Sequence, residues 1–343
     1  MAHGETRFTL FLTDPATMSL PITIDDIRAA RARIAPFLFP APTPLRAYGE
    51  LDAAVGHDLR LVVKHENFNP TGSFKIRNGL AFMTALDPEA RARGVVAATR
   101  GNHGLGIAFA GAAFRVRTTI CVPLGNNPAK NAGMRALGAR LVEEGRDYDE
   151  SVQVAERIRR DEGATVAHST NDPQVIAGAG TMSLEMVEQD PALDAVVLAV
   201  GGGSQAVGAL TVARALQPAL QVFGVQASGA AAAHDSWHAG APVQRDRAET
   251  FADGLATRSA YALTFPALLE GLEDFITVSD AEIAEAMRLL LSSTRTLVEG
   301  AGAAGLAGVI RLAERLRGRR VGIVISGGNV DEATLRRVLN REI

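Results

Sequence analysis

Cysteine is almost absent from this chain of 343 residues: Cys121 stands alone. One thiol excludes an internal disulfide and a cysteine-built zinc site. Its setting in the apolar run "TTICVP" reads as a buried strand position rather than a nucleophile. Lysine is nearly as scarce, for Lys64, Lys75 and Lys130 are the only three among 35 basic residues. No sign of charge dominates, because 38 acidic residues leave a net charge of −3. That balance offers no electrostatic footprint for nucleic acid or an anionic membrane. The first twenty residues lack a basic segment leading into an apolar core, and no later apolar run reaches bilayer-spanning length. The expectation is a cytoplasmic protein without nucleic-acid or membrane partners. There is also no short internal repeat and no Gly/Ser-rich or charged linker.

What is present is an ordinary globular composition, 47% hydrophobic and 21% charged, in a chain long enough for two domains. From about residue 59, short apolar runs alternate with amphipathic stretches. The runs 61–63, 95–98, 118–122, 140–142, 165–167, 195–200, 221–225, 275–278 and 321–325 predict strands. Helical patterns such as 148–160, 174–189 and 280–291 lie between them. This alternation predicts an α/β fold of parallel-rich, twisted sheets flanked by helices. Nine strands exceed one comfortable sheet, so the expectation is a small domain at 87–165 inserted into a large one formed by 1–86 and 166–343.

Ligands of open α/β sheets sit beyond the carboxyl ends of strands. Three such ends are rich in small and polar residues. The first runs from Val95 into Thr99, Arg100, Gly101, Asn102 and His103, with a helix expected from about Leu105. Backbone N–H groups near Gly101 suit a carboxylate, although Asn102 could equally cap the helix. The second ends in Gly201, Gly202, Gly203 and Ser204 ahead of a helix. Glycines let the backbone wrap N–H groups around a phosphate, and Ser204 adds a hydroxyl donor. A dinucleotide reading of Gly201, Gly203 and Ala206 requires an acid at the end of the next strand, where Gln226 stands. The third places Ser326 at the end of a buried strand, as a turn residue or facing a ligand ring. Lys75 closes the stretch "NFNPTGSFK". It is either a surface lysine with its stem over Phe74, or a lysine retained because only a primary amine forms a Schiff base with an aldehyde.

In order, "NPTGSFKIR" (69–77), "TRGNHG" (99–104), "VGGGS" (200–204), "FADGLA" (251–256), "VEGAGAAG" (298–305) and "ISGGN" (325–329) resemble the fold-type II pyridoxal-phosphate enzymes. The likeness is to the threonine dehydratase and serine racemase branch, with a tryptophan synthase β-like fold, and extends from "PAPTPL" at 40–45 almost to the C-terminus. The resemblance implies that Lys75 carries pyridoxal 5'-phosphate and acts as the catalytic base. It implies that Gly201, Gly202, Gly203 and Ser204 cradle the phosphate, Asn102 meets the phenolic oxygen, Ser326 the pyridine nitrogen, and Phe74 the ring. Ser73, Gly101 and His103 would receive the carboxylate of an amino-acid substrate, with Arg100 beside it.

The implied reaction removes the β-hydroxyl of a 3-hydroxy amino acid of the threonine or serine type, giving a 2-oxo acid and ammonia. Arg100 stands where racemases of the branch place a second catalytic serine, so racemization is not the expected activity. It points instead to an acidic or bulky side chain, as in 3-hydroxyaspartate or phenylserine. Gln226 and Ala232 replace the acids of a divalent-cation site, so no metal is expected. Ser204 takes the place of a fourth loop glycine, and Asn78 stands where the pattern has glycine. No regulatory segment follows "ISGGN", so isoleucine feedback is not expected. The competing readings are a β-replacement synthase, a serine racemase and a catalytically silent amino-acid binder. The resemblance also favours a homodimer.

Overall fold

The computed structural model describes residues 19–343. Ten strands form two sheets: β1 (Leu45–Ala47), β2 (Arg60–His65), β3 (Val95–Ala98), β4 (Thr118–Val122), β5 (Arg140–Glu143), β6 (Thr165–Val166), β7 (Ala195–Ala199), β8 (Gln221–Ala227), β9 (Asp274–Val278) and β10 (Arg320–Ile325). The larger sheet has the order β1-β2-β10-β7-β8-β9, and the smaller has β5-β4-β3-β6. Every pairing is parallel except that of β1 with β2.

Parallel strands covered on both faces must be apolar throughout, and "AVVLA" in β7 and "RVGIVI" in β10 have that character. Alternate side chains enter different cores. Leu61, Val63, Val197 and Ile323 join one buried cluster, while Val62, Val196, Leu198 and Val324 join the other. The smaller sheet divides the same way. Val95, Ala97, Ile120 and Val122 face the main cluster, and Val96, Ala98 and Cys121 face a satellite with Val154 and Ile158. Cys121 is fully buried, as its apolar run predicts, and burial raises its thiol to about 11.

The sheets meet through helices. The helix Lys75–Ala85, which follows β2, packs on both Asn102–Phe114 and Pro173–Gln189. The first contact is backbone against backbone. A Cβ on Gly79 would lie 2.4 Å from the Gly106 carbonyl oxygen, and one on Gly106 would lie 2.3 Å from that of Lys75. Only glycine permits that approach. Beneath it lies a buried ionic network. Arg77 donates to Glu66 at 2.8 and 2.9 Å and to Glu185 at 2.7 and 2.9 Å. Lys64 donates to Glu185 at 2.7 Å and to the Thr43 carbonyl at 2.8 Å.

Two details differ from the sequence reading. The edge strand β1 was not expected, because "LRA" carries no apolar pattern and is defined by backbone pairing alone. The helix expected from Leu105 begins at Asn102, so Asn102 is its first residue and not its cap. The Thr99 hydroxyl takes the capping role, accepting from the Gly101 N–H at 2.9 Å and the Gly104 N–H at 3.4 Å.

Candidate active site

The carboxyl ends of β3, β6, β7 and β10 open onto one cavity of about 960 Å³, its mouth included. The turn that delivers Lys75 to it is tied to β10. Gly72 adopts φ +69°, the Gly328 N–H donates to the Gly72 carbonyl at 2.9 Å, and the Phe74 N–H donates to the Ser326 carbonyl at 3.0 Å. Lys75 is therefore the first residue of its helix, with its amine in the cavity wall.

The three lysines now separate. Lys64 pairs with Glu185, and Lys130 with Asp253 at 3.2 Å and Glu299 at 3.8 Å. Among the described residues no carboxylate pairs with Lys75. Its Nζ lies 3.4 Å from the Ser169 carbonyl and 4.8 Å from the centre of the Phe74 ring. Its remaining exposure is to the cavity it lines, and loss of hydration lowers the amine to about 8. The reading of Lys75 as a surface lysine is corrected by this placement.

Opposite, β7 runs into the glycine loop and the helix Ser204–Leu216. Each glycine is sterically required. A Cβ on Gly201 would meet the Gly254 carbonyl oxygen at 2.3 Å, one on Gly202 would meet Thr170 Oγ1 at 2.0 Å, and Gly203 has φ +98°. Thr264 Oγ1 donates to the Gly202 carbonyl at 2.7 Å and holds the loop. The helix start leaves its first N–H groups without intrahelical acceptors at the cavity wall, an arrangement suited to an anion. Gln226 is spent elsewhere: its Oε1 accepts from the Ala233 and His234 N–H groups at 3.1 and 3.0 Å.

The third wall is the loop after β3. Arg100 is half-buried, and its enclosed Nε has no partner among the described residues. Gly101 is buried beside it. Asn102 donates to Glu299 and accepts from Asn329 at 2.8 Å. His103 Nε2 meets the Ala167 carbonyl at 2.9 Å, and its Nδ1 has no partner. Burial, then the nearby Lys75 charge, lowers this imidazole to about 3, so it is neutral at working pH. Burial raises the Glu299 carboxyl. Of the residues expected at the site, Phe74, Lys75, Arg100, Gly101, Asn102, His103, Gly201, Gly202, Gly203, Ser204 and Ser326 all line this cavity. Ser73 does not. It is fully buried behind Phe74, bridges Gly327, and leaves its hydroxyl unpartnered.

A family model described as "Pyridoxal-phosphate dependent enzyme" matches residues 37–327. The chain belongs to this family. An L-threonine ammonia-lyase from Thermotoga maritima is 36% identical over 93% of this chain and 79% of its own length. An L-threo-3-hydroxyaspartate ammonia-lyase from a Pseudomonas species is 36% identical over 84% of this chain and 90% of its own. The structure of maize serine racemase superposes with a TM-score of 0.86 at 31% identity, covering 93% of this chain and 97% of that one. The enzyme is a lyase that depends on pyridoxal phosphate.

The residues present fit that cofactor. An amine with no carboxylate partner among the described residues shares the cavity with a loop where glycines make room for an anion at a helix start, and Ser326, buried beside β10, adds a neutral hydroxyl to the same wall. Sequence reasoning missed Ser169 and Thr170 after β6, together with Tyr148, Tyr261 and Lys130, all of which line the cavity. The signal for the first pair was available. "HSTNDP" follows a strand and precedes a helix that Asp172 caps by accepting from Gln174 and Val175 N–H groups. The tyrosines carry no such local signature. Among the described residues no cluster of His, Cys, Asp or Glu could hold a metal, and no helix is long and apolar enough to cross a membrane.

Proposed function

We propose that this enzyme is an ammonia-lyase for 3-hydroxy amino acids that favours an acidic side chain, 3-hydroxyaspartate ahead of threonine and serine. The observation that carries the reading is the pairing state of two cations in one cavity: among the described residues no carboxylate pairs with Lys75, and none pairs with Arg100. Bound there, pyridoxal phosphate supplies the electron sink that stabilises negative charge at an amino acid's α-carbon.

The chain's own groups do the rest. Gly201, Gly202, Gly203 and Ser204 would hold the cofactor's phosphate, Phe74 would flank its ring, and Asn102 would meet its phenolic oxygen. Ser326 accepts or donates at the ring nitrogen without imposing a charge, which favours prompt loss of the β-hydroxyl over a long-lived carbanion. The N–H groups of Asn102 and His103, at the helix start after Gly101, receive the α-carboxylate. Lys75, with its amine lowered to about 8, takes the α-proton near neutral pH. Arg100 offers a planar fork to a second carboxylate. Because a guanidinium stays protonated, Arg100 is a poor second base for racemization.

The test is 2-oxo acid release from threonine, serine, 3-hydroxyaspartate and phenylserine. Lys75→Ala is expected to remove activity on all of them. Arg100→Ala is expected to lower kcat/KM for 3-hydroxyaspartate about tenfold or more relative to threonine. Unchanged relative rates would refute the acidic preference, and absence of any Lys75-dependent release would refute the lyase assignment to these substrates.

A further inference from the structure

Two side chains stand where the family pattern has glycine, Asn78 and Ser204, and the structure brings them together. Asn78 is one helical turn beyond Lys75 and shares its face. Asn78 is fully buried, its Nδ2 is 3.5 Å from Ser204 Oγ, and its Oδ1 has no partner. Next to Ser204, Gln205 is 4% exposed, lines the cavity, and keeps an enclosed Nε2 bonded to nothing. A buried amide donor without an acceptor costs free energy that a ligand oxygen would recover. The two carboxylates lining the cavity, Asp253 and Glu299, are engaged with Lys130.

We propose that Asn78 and Gln205 complete the phosphate cradle of this chain, adding side-chain recognition of a phosphate monoester to the backbone N–H groups of the glycine loop. Asn78 acts through Ser204. By donating to Ser204 Oγ it fills one acceptor position and leaves the hydroxyl proton free to point at the phosphate. Gln205 acts directly, giving its Nε2–H to a phosphate oxygen from the second position of a helix of 13 residues. In this arrangement a hydroxyl and an amide supplement the loop where the family pattern relies on backbone alone. The proposal rests on the chain's use of pyridoxal phosphate and is independent of which amino acid it deaminates.

The test compares pyridoxal 5'-phosphate with pyridoxal, which has the same aldehyde and ring but no phosphate. Dissociation constants of both are measured spectroscopically on wild type, Gln205→Leu and Asn78→Ala. The ratio of the two constants cancels the covalent contribution of Lys75. Gln205→Leu is expected to weaken the phosphorylated form about tenfold and Asn78→Ala about threefold, with pyridoxal unchanged. Equal weakening of both forms would mean a packing role only and overturn the proposal, as would no change in either. If Gln205→Leu fails to fold, Gln205→Glu decides. It keeps the shape and turns a carboxylate toward the phosphate, so it must discriminate against the phosphorylated form more strongly than wild type does.

Discussion

Lys75 has the property the chemistry proposed for it requires, a proton it can lose near physiological pH. Burial lowers the amine from 10.5 to about 8, so the neutral, nucleophilic fraction rises about fivefold between pH 7 and 8 and levels off above pH 9. Cofactor capture by the unloaded protein should follow that curve in stopped-flow absorbance, and Lys75→Arg should show no capture at any pH. The same depression has a consequence for stability. Between pH 8 and 10.5 the unfolded chain holds a proton on Lys75 that the folded chain has released, so the unloaded protein gains stability as pH rises through that window. Lys75→Met should flatten the gain in urea titrations. A pH limb between 5 and 8 in the rate profile would not belong to His103, whose imidazole sits at about 3.

The helix Pro128–Ala136 packs on the loop after β3 through Met134, against Gly104, and through Lys130. The Lys130 stem lies over Gly101, where a Cβ would be 2.4 Å from Lys130 Cδ, and its amine pairs with Asp253 and Glu299 from the other side of the cavity. Asn102 reaches the same Glu299. Lys130→Met is expected to raise KM about tenfold with a smaller change in kcat, and to speed amide exchange across residues 100–104 in the loaded enzyme. Unchanged exchange there would show that the tie does not position the loop.

Legibility in the sequence followed the same division. β2 to β10 were readable because apolar runs bounded by polar loops have few alternatives, whereas β1 pairs by backbone and leaves no such trace. That Lys75 and the glycine loop share one cavity was readable because the chemistry proposed for them admits few substitutes. Tyr148 and Tyr261 were not, since they reach the cavity only through the relative placement of the two sheets.

At the scale of the molecule, the two sheets are joined by the helix carrying Lys75, and that helix is anchored by Arg77. Arg77→Met would leave Glu66, which is fully buried, without its cation. The expected loss is about 3–5 kcal/mol, measured by denaturant unfolding, with cofactor affinity falling too because Lys75 lies two residues away. Pyridoxal phosphate should act in the opposite direction, contributing about 2.7 kcal/mol at a hundred times its dissociation constant. The distribution of amines has a practical corollary. Lys64 is fully enclosed, Lys130 is 7% exposed, and Lys75 opens only to the cavity, so the outer surface offers guanidinium groups but no lysine side chain. Enzymatic acetylation, ubiquitin attachment and amine-directed crosslinkers therefore find no lysine target on the native exterior. Reagents too large for the cavity can reach these side chains only when the chain opens, which makes lysine tagging a direct clock for unfolding.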